Sequence, residues 1–492
     1  MRPEEIKKPS TIFTICSQMS GFCYDSAKEL SDRERDAVKS SKPPLAGLMA
    51  AFSQLCVIEK QYYSLTFLMP KRFLMKDTAL NTAYNTILSS LKKVEEWRSS
   101  SLTRDLATQL MTFIEARLEF LKLYENIANA GANFVTLENA PADSIRKNIE
   151  ECVIPIDTSL APTIINLSRR YKDCLNHEYL KPLNDLLLWE LDCLHGLFSC
   201  LHHLNHWRYM EALIEMDKAK NALKDWLHSL QTHTETRSLR LLNWFRSSSP
   251  TPSMSSQVST DDNESVNEAS STVQNHNYVE PALFTWFTKL RSHVLAKLTL
   301  YFHSTLSEHT TAEIMEEKCA KLVDDIPGKI QSNLKRLEIT YAALVFDATT
   351  EVGYKGPGFH HPEIKKDSPR GLNLYPCAYA CPEKPQNLWP SIVMCVDEFS
   401  HLNNWNKIAF SYDSRVGFQN SPFFRIHFCH DFSLFQNDIS YYLMKIEPKM
   451  TMALICAGKR TEKDPNIRSF IVDIATSLRM NRIYASIRPG YK

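Results

Sequence analysis

The stretch PALFTWFTKLRSHVLAKLTLYFHSTL, residues 281–306, decides how this chain divides, because it follows a Ser-rich tether and still reads as helix. Phe287, Leu290, Val294, Leu298 and Tyr301 recur at spacings of three and four, which places them on one helical face. Pro281 suits a helix start, where its missing N–H forfeits no bond. The tether, SSSPTPSMSSQVSTDDNESVNEASSTVQNHN from Ser247 to Asn277, offers almost nothing to bury and cannot offset its ordering entropy, so disorder is expected there. Because helical periodicity resumes beyond it and β character begins only near residue 339, the tether reads as a loop inside a helical domain. The boundary then falls near 320–335, around Asp324, Asp325, Ile326, Pro327 and Gly328. The expected architecture is multidomain, α and α+β. Residues 1–325 form a helical bundle with a disordered insert at 247–278, and residues 330–492 form an α+β domain with a mostly antiparallel sheet.

Upstream of the tether the same periodicity repeats. Residues 45–69 carry Leu45, Leu48, Phe52, Leu55, Tyr62 and Met69 along one face, and 102–129 carry Leu106, Leu110, Phe113, Phe120, Tyr124 and Ile127, with Gly131 where the helix would stop. A third stripe runs Leu183, Leu187, Leu194, Phe198 and Leu201 behind Pro182, and a fourth runs Leu213, Met216, Leu223, Trp226 and Leu230. Two charges interrupt these stripes: Glu59 lies between Leu55 and Tyr62, and Arg117 between Phe113 and Phe120. An unpaired buried charge costs several kcal/mol, so the expectation is that the two pair across the helix interface as a structural ion pair; drifting stripes that carry both to solvent are the alternative.

Downstream, short runs separated by Pro and Gly clusters read as strands: ITYAALVFD (339–347), SIVMCVD (391–397), KIAFSY (407–412), FFRIHF (423–428) and TMALICA (451–457). DPNIRSFIVDIATSLRM (464–480) reads as a closing helix capped by Asp464, with Ile467, Phe470, Ile471, Ile474 and Leu478 facing the sheet.

Composition narrows the function classes. With 57 Lys and Arg against 56 Asp and Glu, the net charge of +1 provides no excess to neutralise a phosphate backbone, so nucleic acid is not expected as a partner. The 13 cysteines include no Cys-x-x-Cys pair, which points to reduced thiols and an intracellular setting. The start, MRPEEIKKPSTIFTICSQM, lacks the plan of a secretory signal. The most apolar region, Leu186 to Leu204, carries Glu190, Asp192 and histidines that a bilayer core would penalise. No transmembrane segment is expected, so any membrane location is peripheral.

Candidate chemistry is sparse. GPGFHHPE places His360, His361 and Glu363 in a glycine-rich loop ahead of Cys377 and Cys381, a donor set suited to zinc, and a zinc-dependent hydrolase would centre there. Cys-x-x-x-Cys with adjacent histidines is not a standard zinc spacing, however, and a structured loop is the plainer reading. His195, His202 and His206 share one helical face, but a single helix supplies all three. In HFCHD, strand alternation sends His427 and His430 to different faces. There is no Gly-x-Ser-x-Gly elbow, His-Glu-x-x-His helix or kinase signature, so neither catalytic residues nor a cofactor is expected. Phe359, Trp389 and Trp405 are candidate partner-binding anchors, since aromatic residues are enriched at binding hot spots, although filling the cores of their loops is the plainer reading.

Several segments together resemble the KICSTOR subunit 2 family: GFCYDSAKELSDRERDAVKS (21–40), IEKQYYSLTFL (58–68), FIEARLEFLKLYE (113–125), FTWFTKLRSHVLAKLTLYFH (284–303), SEHTTAEIM (307–315), YAALVFD (341–347), GFHHP (358–362), LWP (388–390) and IYASIRPG (483–490). The resemblance implies a non-catalytic scaffold subunit that, with the other KICSTOR subunits, holds the Rag-GTPase-activating GATOR complex at the lysosomal surface. The implied output is restraint of the target-of-rapamycin kinase when amino acids or glucose run short. A small-GTPase-regulating module built on the α+β domain is the other alternative.

Overall fold

Prolines and acidic caps fix where many of the helices begin. The computed structural model describes residues 4–69, 80–96, 100–138, 156–247, 280–358, 360–361, 363, 367–400, 408–413 and 439–490. Among the described residues eight helices precede the Ser-rich stretch: α1 (Glu4–Ser20), α2 (Tyr24–Val38), α3 (Pro43–Tyr63), α4 (Leu80–Glu96), α5 (Ser101–Glu138), α6 (Ile156–Tyr171), α7 (Lys181–Asn205) and α8 (Tyr209–Ser247). Prolines occupy the first turn of α3 and of α7. After it come α9 (Ala282–Tyr301), α10 (His303–Ser307), α11 (Ala312–Ala320) and α12 (Ile326–Leu337). Asp325 caps α12 by accepting from the Gly328 N–H at 3.0 Å. The stretch expected to hold the boundary is therefore largely helix. Residues 248–279, which take in all of the Ser-rich tether but Ser247, lie outside the described residues.

The sheet has the order β2-β1-β5-β4-β3, antiparallel throughout, from β1 (Tyr341–Phe346), β2 (Cys377–Cys381), β3 (Ala409–Asp413), β4 (Ile439–Glu447) and β5 (Met450–Ala457). Three expected strands coincide with β1, β3 and β5, and FFRIHF lies outside the described residues. SIVMCVD is not a strand: it lies within α13 (Trp389–Ser400), where Ile392, Val393, Val396 and Phe399 are buried at helical spacing. Short apolar runs do not separate a buried strand from a buried helix, and here the three-and-four spacing decides. Sequence reading missed β2 and β4 because β4 is intermediate or buried at every position, which mutes alternation.

Alternation reappears once the faces are assigned. Ala342, Leu344, Tyr442, Met444, Met452 and Leu454 point into the large core shared with the helices, whereas Ala343, Val345, Tyr441, Leu443, Ala453 and Ile455 point to a smaller core under α13. The closing helix α14 (Pro465–Leu478) starts at Asp464, whose carboxylate accepts from the N–H groups of Asn466 and Ile467 at 3.0 and 3.2 Å. It buries Ile467, Phe470, Ile471, Ile474 and Leu478. A short last helix, α15 (Asn481–Ala485), packs against α5.

The helical stripes are buried apart from their ends, where Met69 is 46% and Leu213 39% exposed. Gly131 does not stop α5, which continues to Glu138. Its role is steric: a Cβ there would stand 2.2 Å from the Ala485 backbone nitrogen, so the glycine lets α15 approach.

Candidate functional site

Within the bundle, α3, α4, α5 and α7 converge on a fully buried knot of charge. On α3, Glu59, Tyr62 and Tyr63 share a face by their three- and four-residue spacing; on α5, Phe113, Arg117, Phe120 and Tyr124 do the same. The Arg117 Nε donates to both Glu59 carboxylate oxygens at 3.1 and 3.2 Å, one terminal nitrogen donates to Glu190 Oε2 at 2.6 Å, and the other to the Tyr63 hydroxyl at 2.6 Å. Tyr84 donates to Glu59 at 2.6 Å; Tyr62, Tyr63 and Tyr124 donate to Glu190, the last at 2.7 Å. The guanidinium carbon lies 4.4 Å from the Tyr62 ring centroid and 4.7 Å from that of Phe113.

The electrostatics follow from this geometry. Burial opposes the charge of Arg117, yet Glu59, Tyr63 and Glu190 hold its pKa above the usual arginine value. Burial raises the Glu59 carboxyl, and Arg117 offsets only part of that, since one cation serves two carboxylates. The tyrosines are pushed up by burial and then by the carboxylates, which keeps them neutral donors. The structure thus brings Glu59 and Arg117 together and adds Glu190, which sequence reading noted only as a barrier to membrane insertion. The signal was present: Glu190 lies three residues after Leu187 and four before Leu194, inside that helix's apolar stripe.

Two further polar groups join the helices to the sheet. Lys297, on the α9 stripe, is fully buried and donates to Glu447 at the end of β4. Asn205, with its amide nitrogen turned to the same carboxylate, donates to both oxygens at 2.7 and 2.8 Å. Nearby, the Arg479 Nε donates to the Ile446 carbonyl at 3.2 Å and a second nitrogen to that of Lys445; burial lowers its pKa to about 10. At the rim, Glu351 accepts from Lys449 at 2.6 Å and pairs with His206 Nδ1 at 2.6 Å.

The zinc candidates serve local structure. The His360 Nε2 contacts the Gly356 carbonyl at 3.1 Å, and His361 Nδ1 accepts from the Glu363 N–H at 3.3 Å. The Cys377 thiol donates to the Tyr379 carbonyl, and burial raises its pKa to about 12. Among the described residues no group of three or more His, Cys, Asp or Glu is arranged to hold a metal. His195 and His206 point to separate partners, Glu215 and Glu351, while burial lowers the His202 pKa. Trp389 is a correction to the expected surface anchors: it is 4% exposed, packed into the smaller core with Lys384 over its ring at 4.4 Å. It starts a helix rather than sitting in a loop. Phe359, Trp405, His427 and His430 lie outside the described residues.

Comparison with known proteins matches this arrangement from end to end. The sequence profile described as KICSTOR complex C12orf66 like matches residues 4–251, 240–435 and 425–492. The chain is 26% identical over 512 aligned residues to KICSTOR subunit 2 of Danio rerio, covering 100% of this chain and 99% of that protein. It is 25% identical over 496 residues to KICSTOR subunit 2 of Xenopus laevis, covering 97% and 96% of the two. With the profile spanning helices and sheet alike, the chain belongs to the KICSTOR complex C12orf66 like family.

Proposed function

We infer that the chain is a non-catalytic scaffold subunit of a KICSTOR complex, helping to recruit the Rag-GTPase-activating GATOR complex to the lysosome and so to restrain the target-of-rapamycin kinase on nutrient deprivation. The observation that carries this reading is the collinear likeness, over nearly the whole length of each, to two proteins named KICSTOR subunit 2. The chemistry of the interior supports it. Glu59, Arg117 and Glu190 are at most 1% exposed and saturate one another, so they tie helices together and meet no substrate. Among the described residues no helix is long and apolar enough to cross a membrane, which fits peripheral attachment through partners.

The test is affinity purification of the tagged full-length chain from cells, with the other KICSTOR subunits and GATOR followed by immunoblot. Recovery of both sets, and loss of the chain from the lysosomal fraction when another KICSTOR subunit is removed, are expected. Failure to recover any KICSTOR subunit would overturn the assignment. Recovery of those subunits without GATOR would remove the recruitment role.

A further inference from the structure

The last ten described residues do not belong to the layer that precedes them. The helix α14 lies on the sheet, and Arg479 at its end is anchored there by its bonds to the carbonyls of β4. The next residue, Met480, adopts φ 61, a left-handed conformation that costs an L residue roughly 1 kcal/mol. There the chain turns off the sheet and enters a groove of the helical bundle.

The fit in that groove is specific. Gly131 of α5 faces the Ala485 backbone with no room for a side chain. The Trp286 Nε1 of α9 donates to the Ile483 carbonyl at 3.0 Å. Phe198 of α7 stacks on Tyr484 with ring centroids 6.0 Å apart. Beyond α15, Arg488 donates to the Asn129 side chain at 2.6 Å. A short helical segment held in a groove by an aromatic stack and a side-chain hydrogen bond to its backbone has the form of a bound peptide. Here the peptide is the chain's own end.

We propose that residues 481–490 are a latch: an intramolecular ligand of the groove between α5, α7 and α9 that opens as one unit about Met480 while the sheet and the rest of the bundle stay folded. Two features argue for separate opening. The pivot is one strained residue, relieved if α14 runs straight on into α15. The anchor at Arg479 lies before the pivot and is untouched by opening. Sub-global opening of this kind occurs at a free energy below that of global unfolding. Once open, the groove accepts a second segment of the same aromatic–small pattern, in the first instance the same stretch of another copy.

Hydrogen exchange on the full chain tests this. Tyr484→Ala weakens the segment and leaves the groove intact, so amides of 481–487 should exchange about tenfold faster or more, while those of β1 and β5 keep their rates. A labelled peptide of residues 481–492 should then bind the Y484A chain but not the wild type. Trp286→Phe, which removes the donor to Ile483 and keeps an aromatic ring beside Tyr124 and Phe287, should give the same selective loosening to a smaller degree. Equal acceleration of the tail, β1 and β5 in Trp286→Phe would show one cooperative core, and unchanged tail exchange in both variants would show no latch; either overturns the proposal. So would peptide binding that is equal in the Y484A and wild-type chains.

Discussion

At the scale of single residues, Arg117 is the position where the bundle is most exposed to mutation. Replacing it with methionine leaves Glu59 and Glu190 buried without their cation, and breaking a buried pair from one side costs about 3–5 kcal/mol. Arg117→Met is therefore expected to lower the urea midpoint by far more than Glu59→Gln, which leaves one cation facing one carboxylate; equal losses would contradict the account. Glu351 supplies a pH dependence. Burial pushes its carboxyl up, but Lys449 and His206 more than offset this and hold it below the ordinary 4.5. A carboxyl with a depressed folded pKa contributes stability above its unfolded value and loses it as pH falls through the folded one. Lys449→Met should flatten that part of the stability curve, measured by denaturant unfolding from about pH 6 down to about pH 3. The charges in the helical stripes were legible from spacing alone, because a charge between two core residues of one helix must find a partner. The identity of that partner was not, since Glu190 stands 73 residues from Arg117 in the chain.

Among elements, the helices were the easiest to read and the sheet the hardest. Long amphipathic segments advertise their period over many turns, whereas β2 is five residues long and β4 presents no polar face. The misreading of 391–397 as strand has the same origin. Gly131 shows a different failure: a glycine near the end of a stripe resembles a helix stop, and only the neighbouring element explains it. Gly131→Ala is expected to destabilise the chain rather than add helix propensity, because the new methyl group meets the Ala485 backbone and not a flexible side chain. A drop in melting temperature is the predicted result, and a rise would refute the steric role.

For the molecule as a whole, the helices and one face of the sheet share a core, and Lys297, Glu447, Asn205 and Arg479 join them by polar contacts. The composition of the Ser-rich stretch offers almost nothing to bury. Deleting residues 250–277 should leave the melting temperature within a few degrees of the full chain, since a stretch with so little to bury adds little to a core and loop length changes closure entropy only slightly; a large loss would contradict this. The sequence by itself determined the helical stripes, the helical character on both sides of the tether, the closing helix with its cap, and the collinear family likeness. These depend on local period and composition, which the chain carries in full. Which buried charges meet, why Gly131 is glycine, where Trp389 points and how the last ten described residues enter the bundle were decided by tertiary structure alone. Each depends on a distance between residues far apart in sequence, and no local pattern encodes that distance.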